Sequence, residues 1–146
     1  MIDKIAPPAA GAASRWVIDQ YYNEVQNILK RNSHSSTVLI VMIDGDRKTL
    51  TERFDELRQK YAKENDDPVH VFVPCRNIES WFEFLEQGTL DLTTEFERDY
   101  KQRYRQAKPS EYAKKLARKV KTNPKDKNQW PRSLLAACEE WQRIIG

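Results

Sequence analysis

Two cysteines and two histidines in 146 residues leave little for a covalent or metal-built scaffold. Cys75 and Cys138 are too few for a disulfide framework, and they show no CxxC or Cys/His spacing. His34 and His70 are isolated, which argues against a zinc centre. Neither histidine stands at a spacing that pairs it with Cys75, so a thiol nucleophile is disfavoured as well. No apolar run approaches the ~20 residues needed to cross a bilayer. The start, Met1-Ile2-Asp3-Lys4-Ile5, has no signal-peptide core. A reducing, cytoplasmic protein without a membrane segment is the expectation. There is no internal repeat and no long low-complexity stretch.

What the chain does have is charge. Asp, Glu, Lys and Arg make up 32% of it, and the mean hydropathy is −0.83. The length fits one domain that buries roughly two-thirds of its unfolded surface. The formal net charge of +3 hides an uneven distribution. Residues 98–132 hold 13 Lys/Arg against 3 Asp/Glu, a net of +10, and the rest of the chain is at −7. Such a split points to a surface that faces a polyanion.

The strongest pattern is Val38-Leu39-Ile40-Val41-Met42-Ile43-Asp44-Gly45-Asp46. Its apolar, largely β-branched run reads as a buried parallel strand over about 37–43 that ends in two acids. Val69-His70-Val71-Phe72-Val73 reads as a second strand, stopped by Pro74. Between them, Leu50, Phe54, Leu57 and Tyr61 predict a helix over about 47–64, with Asp46 as its cap. After the second strand, Asn77 is placed as the cap of a helix carrying Ile78, Trp81, Phe82 and Leu85 and ending near Gly88. Residues 37–87 are therefore β-α-β-α, with a crossover long enough for a right-handed parallel connection.

Upstream, residues 6–13 read as a loop. Ser14 is placed as the cap of a helix with Trp16, Val17, Tyr21, Val25, Ile28 and Leu29 on its apolar face. Downstream, residues 91–108 are polar and weakly periodic. Residues 109–121 fit a basic helix, 122–129 a polar loop. Pro131 opens a last helix with Leu134, Leu135, Cys138, Trp141 and Ile145 as its stripe. Trp16, Trp81 and Trp141 are assigned to the core and Trp130 to the surface. The organisation expected is a single domain over 1–146. It has an α/β core over 1–90, a small mostly parallel sheet flanked by helices, and a basic helical extension over 91–146 packed on it.

Three constellations bear on function. Asp44-Gly45-Asp46 stands at the carboxyl end of a strand, the edge where open α/β sheets bind ligands. Two carboxylates so close suit a divalent cation such as Mg²⁺ or Mn²⁺, and Gly45 permits a tight turn and the close approach of a phosphate. Helix capping explains such acids equally well. Second, Arg76-Asn77-Ile78-Glu79 follows the second strand, on the same edge if the sheet is parallel. Glu79 would there be a further acid of the site or simply the complement of its helix dipole. Arg76 would be a phosphate fork or a salt-bridge partner. Third, Lys101, Arg103, Arg105, Lys114, Lys115 and Arg118 are interleaved with Tyr100, Tyr104 and Tyr112. That mixture suits nucleic-acid backbone and bases, or else a solvated face with Tyr112 anchored in the core.

With Ile43-Asp44-Gly45-Asp46 and Arg76-Asn77-Ile78-Glu79-Ser80-Trp81 in view, the chain resembles the Toprim-like domains of small prokaryotic defence-associated proteins. Their relatives include the nuclease domains of OLD-family proteins, topoisomerases and primases. The closing Pro131-Arg132-Ser133-Leu134-Leu135-Ala136-Ala137-Cys138-Glu139-Glu140 is similar to that group as well. The resemblance spans roughly residues 5–145. It implies a component of an anti-phage defence system, a Mg²⁺-dependent nuclease with Asp44, Asp46 and Glu79 as catalytic residues and Asp44 and Asp46 on the metal. It also implies a partner ATPase or effector protein. One departure stands out: Toprim enzymes carry a glutamate upstream of the aspartate pair, after a first strand. Here the only upstream glutamate is Glu24, inside a predicted helix, and the only candidate for an earlier strand is the stub Ile2–Ile5. The alternative expectation is therefore an interaction subunit that binds such a partner, or nucleic acid, without turnover.

Overall fold

The computed structural model describes residues 4–6, 13–32, 34, 36–90, 98–121 and 129–146. It is an α/β fold with the element order α1 (Ala13–Asn32), β1 (Leu39–Met42), α2 (Leu50–Lys60), β2 (Val69–Phe72), α3 (Glu79–Gln87), α4 (Pro109–Lys121) and α5 (Arg132–Ile145). Among the described residues β1 and β2 form one parallel sheet, with Leu39 opposite Val69 and Met42 opposite Phe72. The bulk of the expected loops at 6–13 and 122–129, part of the polar stretch 91–108, and Ile2 and Asp3 of the Ile2–Ile5 stub lie outside the described residues; Lys4 and Ile5 are described and are not in a strand.

Alternation along the strands divides the interior. Val41, Ile43, Val69, Val71 and Val73 face one side, where α1 brings Tyr21, Val25 and Ile28 and α2 brings Leu57. Burial of each such aliphatic side chain is worth ~1.5–3 kcal/mol. Phe72 faces the other side and meets Trp81 and Phe84 of α3, Trp130, and Leu134 and Ala137 of α5. α5 packs on β2, α1 on β1 and α2, and α4 on α3, so the basic extension is built onto the α/β core.

Several local expectations are corrected. α2 starts later, and Thr49 caps it rather than Asp46. The Thr49 hydroxyl accepts the Glu52 N–H while the Glu52 carboxylate accepts the Thr49 N–H, a reciprocal capping box. α3 has no side-chain cap, because the Asn77 amide donates to Asp99 instead. Its C-terminus is as expected, with Gly88 at φ 76°. Ser14 lies inside α1 and donates to Asp46.

The tryptophans redistribute too. Trp130 is 4% exposed, packed against Phe84, and Trp141 is 48% exposed. Trp16 is half-buried, whereas Trp81 is buried and donates its indole N–H to Ser133 at 2.9 Å. The apolar stripe of α5 is wider than the surface it packs on, so its last turn emerges, with Ile145 67% exposed.

Candidate functional site at the carboxyl rim of the sheet

Parallel pairing does not stop where the strands end. The Ile43 N–H donates to Phe72 O (3.1 Å), the Gly45 N–H to Pro74 O (2.8 Å) and the Asp46 N–H to Arg76 O (2.8 Å). These bonds zip residues 43–46 onto 72–76 and bring the two singled-out segments to one rim. The Gly45 close approach is to this backbone rather than to a ligand: a Cβ there would lie 3.0 Å from Pro74 O and 3.1 Å from Arg76 N. Asp46 (φ 55°) and Arg76 (φ 62°) both hold left-handed backbone at this junction. For residues other than glycine such conformations cost of order 1–3 kcal/mol and cluster at functional sites.

The two aspartates have different surroundings. Asp46 Oδ2 accepts from Ser14 Oγ (2.6 Å) and from Arg53 Nη2 (2.7 Å). The Arg53 side chain is 4% exposed. It also donates Nε to Asp44 O (3.0 Å) and Nη1 to Glu56 Oε2 (2.7 Å), so it pins the rim loop to α2. One oxygen of Asp46 is thus committed to an internal ion pair.

The Asp44 carboxylate instead accepts the Ile78 N–H at the start of α3. Burial above all pushes its carboxyl up to about 6. The positive charge of Lys101 opposes this, and the negative charges of Glu79 and Asp46 add to it. A carboxyl at that value is partly protonated near neutrality, the range suited to acid/base work.

Glu79 opens α3, and its Oε2 is buried with no hydrogen-bond partner among the described residues. The same holds for Oδ1 of Asn77, a residue 1% exposed. An unsatisfied buried acceptor costs ~1–3 kcal/mol. The Asn77 Nδ2 donates to Asp99 Oδ1 (3.1 Å), which also accepts the Lys101 N–H (2.9 Å). That Lys101 N–H, together with Asn77 and the charges of Lys101 and Arg76, outweighs burial and holds Asp99 below the usual carboxylate range. The Arg76 Nη2 stands 3.9 Å from Asp99 Oδ2, a loose pair.

Of the basic tract, Lys101 comes to the rim, close enough to act on Asp44. Arg103 lies elsewhere, donating to Glu83 at 2.5 Å, and Lys115 pairs with Glu86 and lies over the Tyr112 ring. Arg105, Lys114 and Arg118 are exposed. Tyr112 is buried and stacks on Phe82 at 4.1 Å between centroids, so it is a core anchor; Tyr104 packs edge-on against both rings. Glu24 lies in α1 and binds Lys4 at 2.5 Å.

Sequence reasoning missed Asn77 as an acceptor, Asp99 as the link to Lys101, and Arg53 as the clamp. Arg53 carried a readable signal, since it interrupts the apolar face of its helix beside Phe54 and Leu57. Asp99 carried none.

The acceptors that Asp44, Asp46, Asn77 and Glu79 bring to the rim are all oxygens, the ligand chemistry of Mg²⁺ or Mn²⁺. Among the described residues no group of three or more His, Cys, Asp or Glu side chains is gathered as a metal cage. Mg²⁺ is usually held by one or two carboxylates, with waters and substrate phosphates completing its shell. Asp44 with Glu79 fits that pattern, and the partnerless acceptors are the observation that favours it. Comparison with protein families, curated proteins and solved structures finds no match to this chain.

Proposed function

We propose that the rim is a Mg²⁺-dependent site for phosphodiester chemistry on nucleic acid, in a Toprim-like component of an anti-phage defence system. One observation carries this reading. A part-buried aspartate raised to about 6 stands beside a glutamate oxygen that is buried with no donor among the described residues, an arrangement that a bound cation relieves.

In this reading Asp44 and Glu79 hold the cation, and Asn77 Oδ1 supports it directly or through water. When bound, the metal polarises a phosphoryl oxygen and lowers the pKa of its water. Asp46 contributes through the oxygen that Arg53 leaves open and otherwise fixes the loop. Arg76 and Lys101 bring positive charge to the edge of the site, where a phosphate oxygen would sit. The exposed Arg105, Lys114 and Arg118 would carry the backbone further out, so affinity should fall steeply with salt.

Purified protein with Mg²⁺ and single- or double-stranded DNA or RNA is the test. Cleavage should be lost in Asp44→Ala and fall strongly in Glu79→Gln. Undiminished cleavage in both variants would reject the assignment.

A second reading is an interaction subunit that keeps the fold without turnover and engages a partner ATPase or effector. It is favoured by the absence of a three-acid cage among the described residues and by the capture of Glu24 by Lys4. Protein that cuts nucleic acid alone and binds no such partner would exclude it. Among the described residues no helix is long and apolar enough to cross a membrane.

A further inference from the structure

Asn77 is tied into the rim through both of its chain neighbours. The C=O of Arg76 before it accepts the Asp46 N–H (2.8 Å), and the N–H of Ile78 after it is donated to the Asp44 carboxylate. Its own main chain is engaged as well. The N–H donates to Cys75 O (2.7 Å), and the C=O accepts the Ser80 N–H (3.1 Å) and the Ser80 hydroxyl (2.8 Å). With the backbone held and the residue 1% exposed, the freedom that remains is which way the side-chain amide faces.

That choice is made from outside the rim. Asp99 comes from a segment 22 residues further on, and its side chain is half-exposed. Its Oδ1 accepts the Lys101 N–H (2.9 Å), closing an Asx turn, and the same oxygen accepts Asn77 Nδ2 (3.1 Å). An ionised carboxylate has acceptors and no donor. It can therefore hold the amide only by its nitrogen, and the amide oxygen is turned away from Asp99. There Asn77 Oδ1 is buried without a donor among the described residues, as is Oε2 of Glu79 two residues on. An amide free to turn over would bring a donor into this acceptor-rich corner. The contact with Asp99 prevents it.

We infer that Asp99 is a positioning residue of the rim: by holding the Asn77 amide nitrogen, it presents the Asn77 carbonyl oxygen as an uncharged ligand to the cation that Asp44 and Glu79 receive. This rests on the reading of the rim as a cation site and adds how its third oxygen is aimed. An amide oxygen suits the place. It is a hard donor, and it adds a ligand without adding a third negative charge beside Asp44 and Glu79. Asp99 touches no cation itself. It acts as outer partners of metal ligands do, by fixing the orientation of the ligand before the metal arrives.

Mn²⁺ alone is the probe, titrated into the full chain and followed by calorimetry or by the paramagnetic resonance signal of the free ion. Asp99→Ser keeps a hydroxyl that can accept the Lys101 N–H but falls short of Asn77, and it should weaken Mn²⁺ binding by about 10–100-fold. Asp99→Asn keeps the shared oxygen while removing the charge, and should bind as wild type does. Asn77→Ala should weaken binding as Asp99→Ser does, and adding Asp99→Ser to it should cost nothing more, because the two side chains act as one unit.

Wild-type affinity in Asp99→Ser overturns the inference and leaves the rim's cation in place. So do single losses that multiply in the double variant, or an Asp99→Asn as weak as Asp99→Ser. Asp99 would then act through its charge or through the placement of Lys101. Should Asp99→Ser lose its far-ultraviolet circular dichroism, Asn77→Ala decides, since wild-type affinity there overturns the inference equally. A wild type that takes up no Mn²⁺ removes the cation site itself, and this inference with it.

Discussion

Replacing Asp44 with asparagine should stabilise the protein at neutral pH. Burial and two neighbouring acids raise the folded-state pKa from 3.8 to about 6. Above that value the ionised group is held where its charge is disfavoured. Each pKa unit is ~1.4 kcal/mol, so ionisation costs the fold about 3 kcal/mol. The sign follows from proton counting. Between about pH 4 and pH 6 the native state binds the proton more tightly than the unfolded state, so stability falls as pH rises through this window. Asp44→Asn removes that slope. Asparagine still accepts the Ile78 N–H, though more weakly, so the net gain expected near pH 7.5 is about 1–3 kcal/mol, shrinking to near zero at pH 4.

Urea melts of both proteins at the two pH values measure this directly. Saturating Mg²⁺ provides the complementary arm. It should stabilise the wild type, by ~2.7 kcal/mol at a hundred times its Kd, and leave Asp44→Asn unmoved. A variant no more stable than wild type near pH 7.5, or two stability curves that run parallel from pH 4 to 7.5, would refute the reasoning.

Other perturbations test how the rim is built. Gly45→Ala sets a methyl group 3.0 Å from Pro74 O and should cost about 1–3 kcal/mol in a denaturant melt, with weaker metal binding as the 43–46 and 72–76 segments part. Arg53→Ala leaves Asp46, Glu56 and the Asp44 carbonyl without their shared donor and should cost about 3–5 kcal/mol, well beyond an exposed ion pair such as Arg58 with Asp55. Trp81→Phe removes the hydrogen bond to Ser133 and should cost about 1–3 kcal/mol in a thermal or urea melt, loosening α5 while leaving the rim's metal response intact.

The parts of the fold that were legible in sequence are those set by local rules. The β-branched run of 38–43, the valine alternation of 69–73 and the four-three-four spacing of 50–61 each fix an element, and the crossover length fixes parallel pairing. Gly88 ends its helix as its freedom at positive φ requires. The shared rim follows from that topology. What was not legible depended on partners distant in sequence. Asp46 and Asn77 both looked like helix caps, because a short polar side chain before an apolar run is the usual sign of one. Thr49 took the first role because the loop must first turn through Asp46 to reach Arg53. Asn77 turned instead to Asp99, 22 residues on.

The tryptophans show the same division. Trp141 sits on a well-formed stripe, but nothing among the described residues covers the end of that helix. Trp130 stands outside any periodic pattern and is buried because α3 and α5 close over it. Periodicity says which side of an element is apolar; it does not say whether a neighbour is there to cover it.

The account rests on one claim about chemistry, that Asp44 and Glu79 together receive a divalent cation. Diffraction from crystals of the protein grown with Mn²⁺, recorded for anomalous scattering, is the most direct measurement of it. The expected result is a single strong peak within ligand distance, ~2.1–2.3 Å, of the Asp44 carboxylate, with Glu79 or Asn77 oxygen in the same shell. A rim without an anomalous peak at saturating Mn²⁺, with the Asp44 carboxylate bonded to protein groups alone, would contradict it.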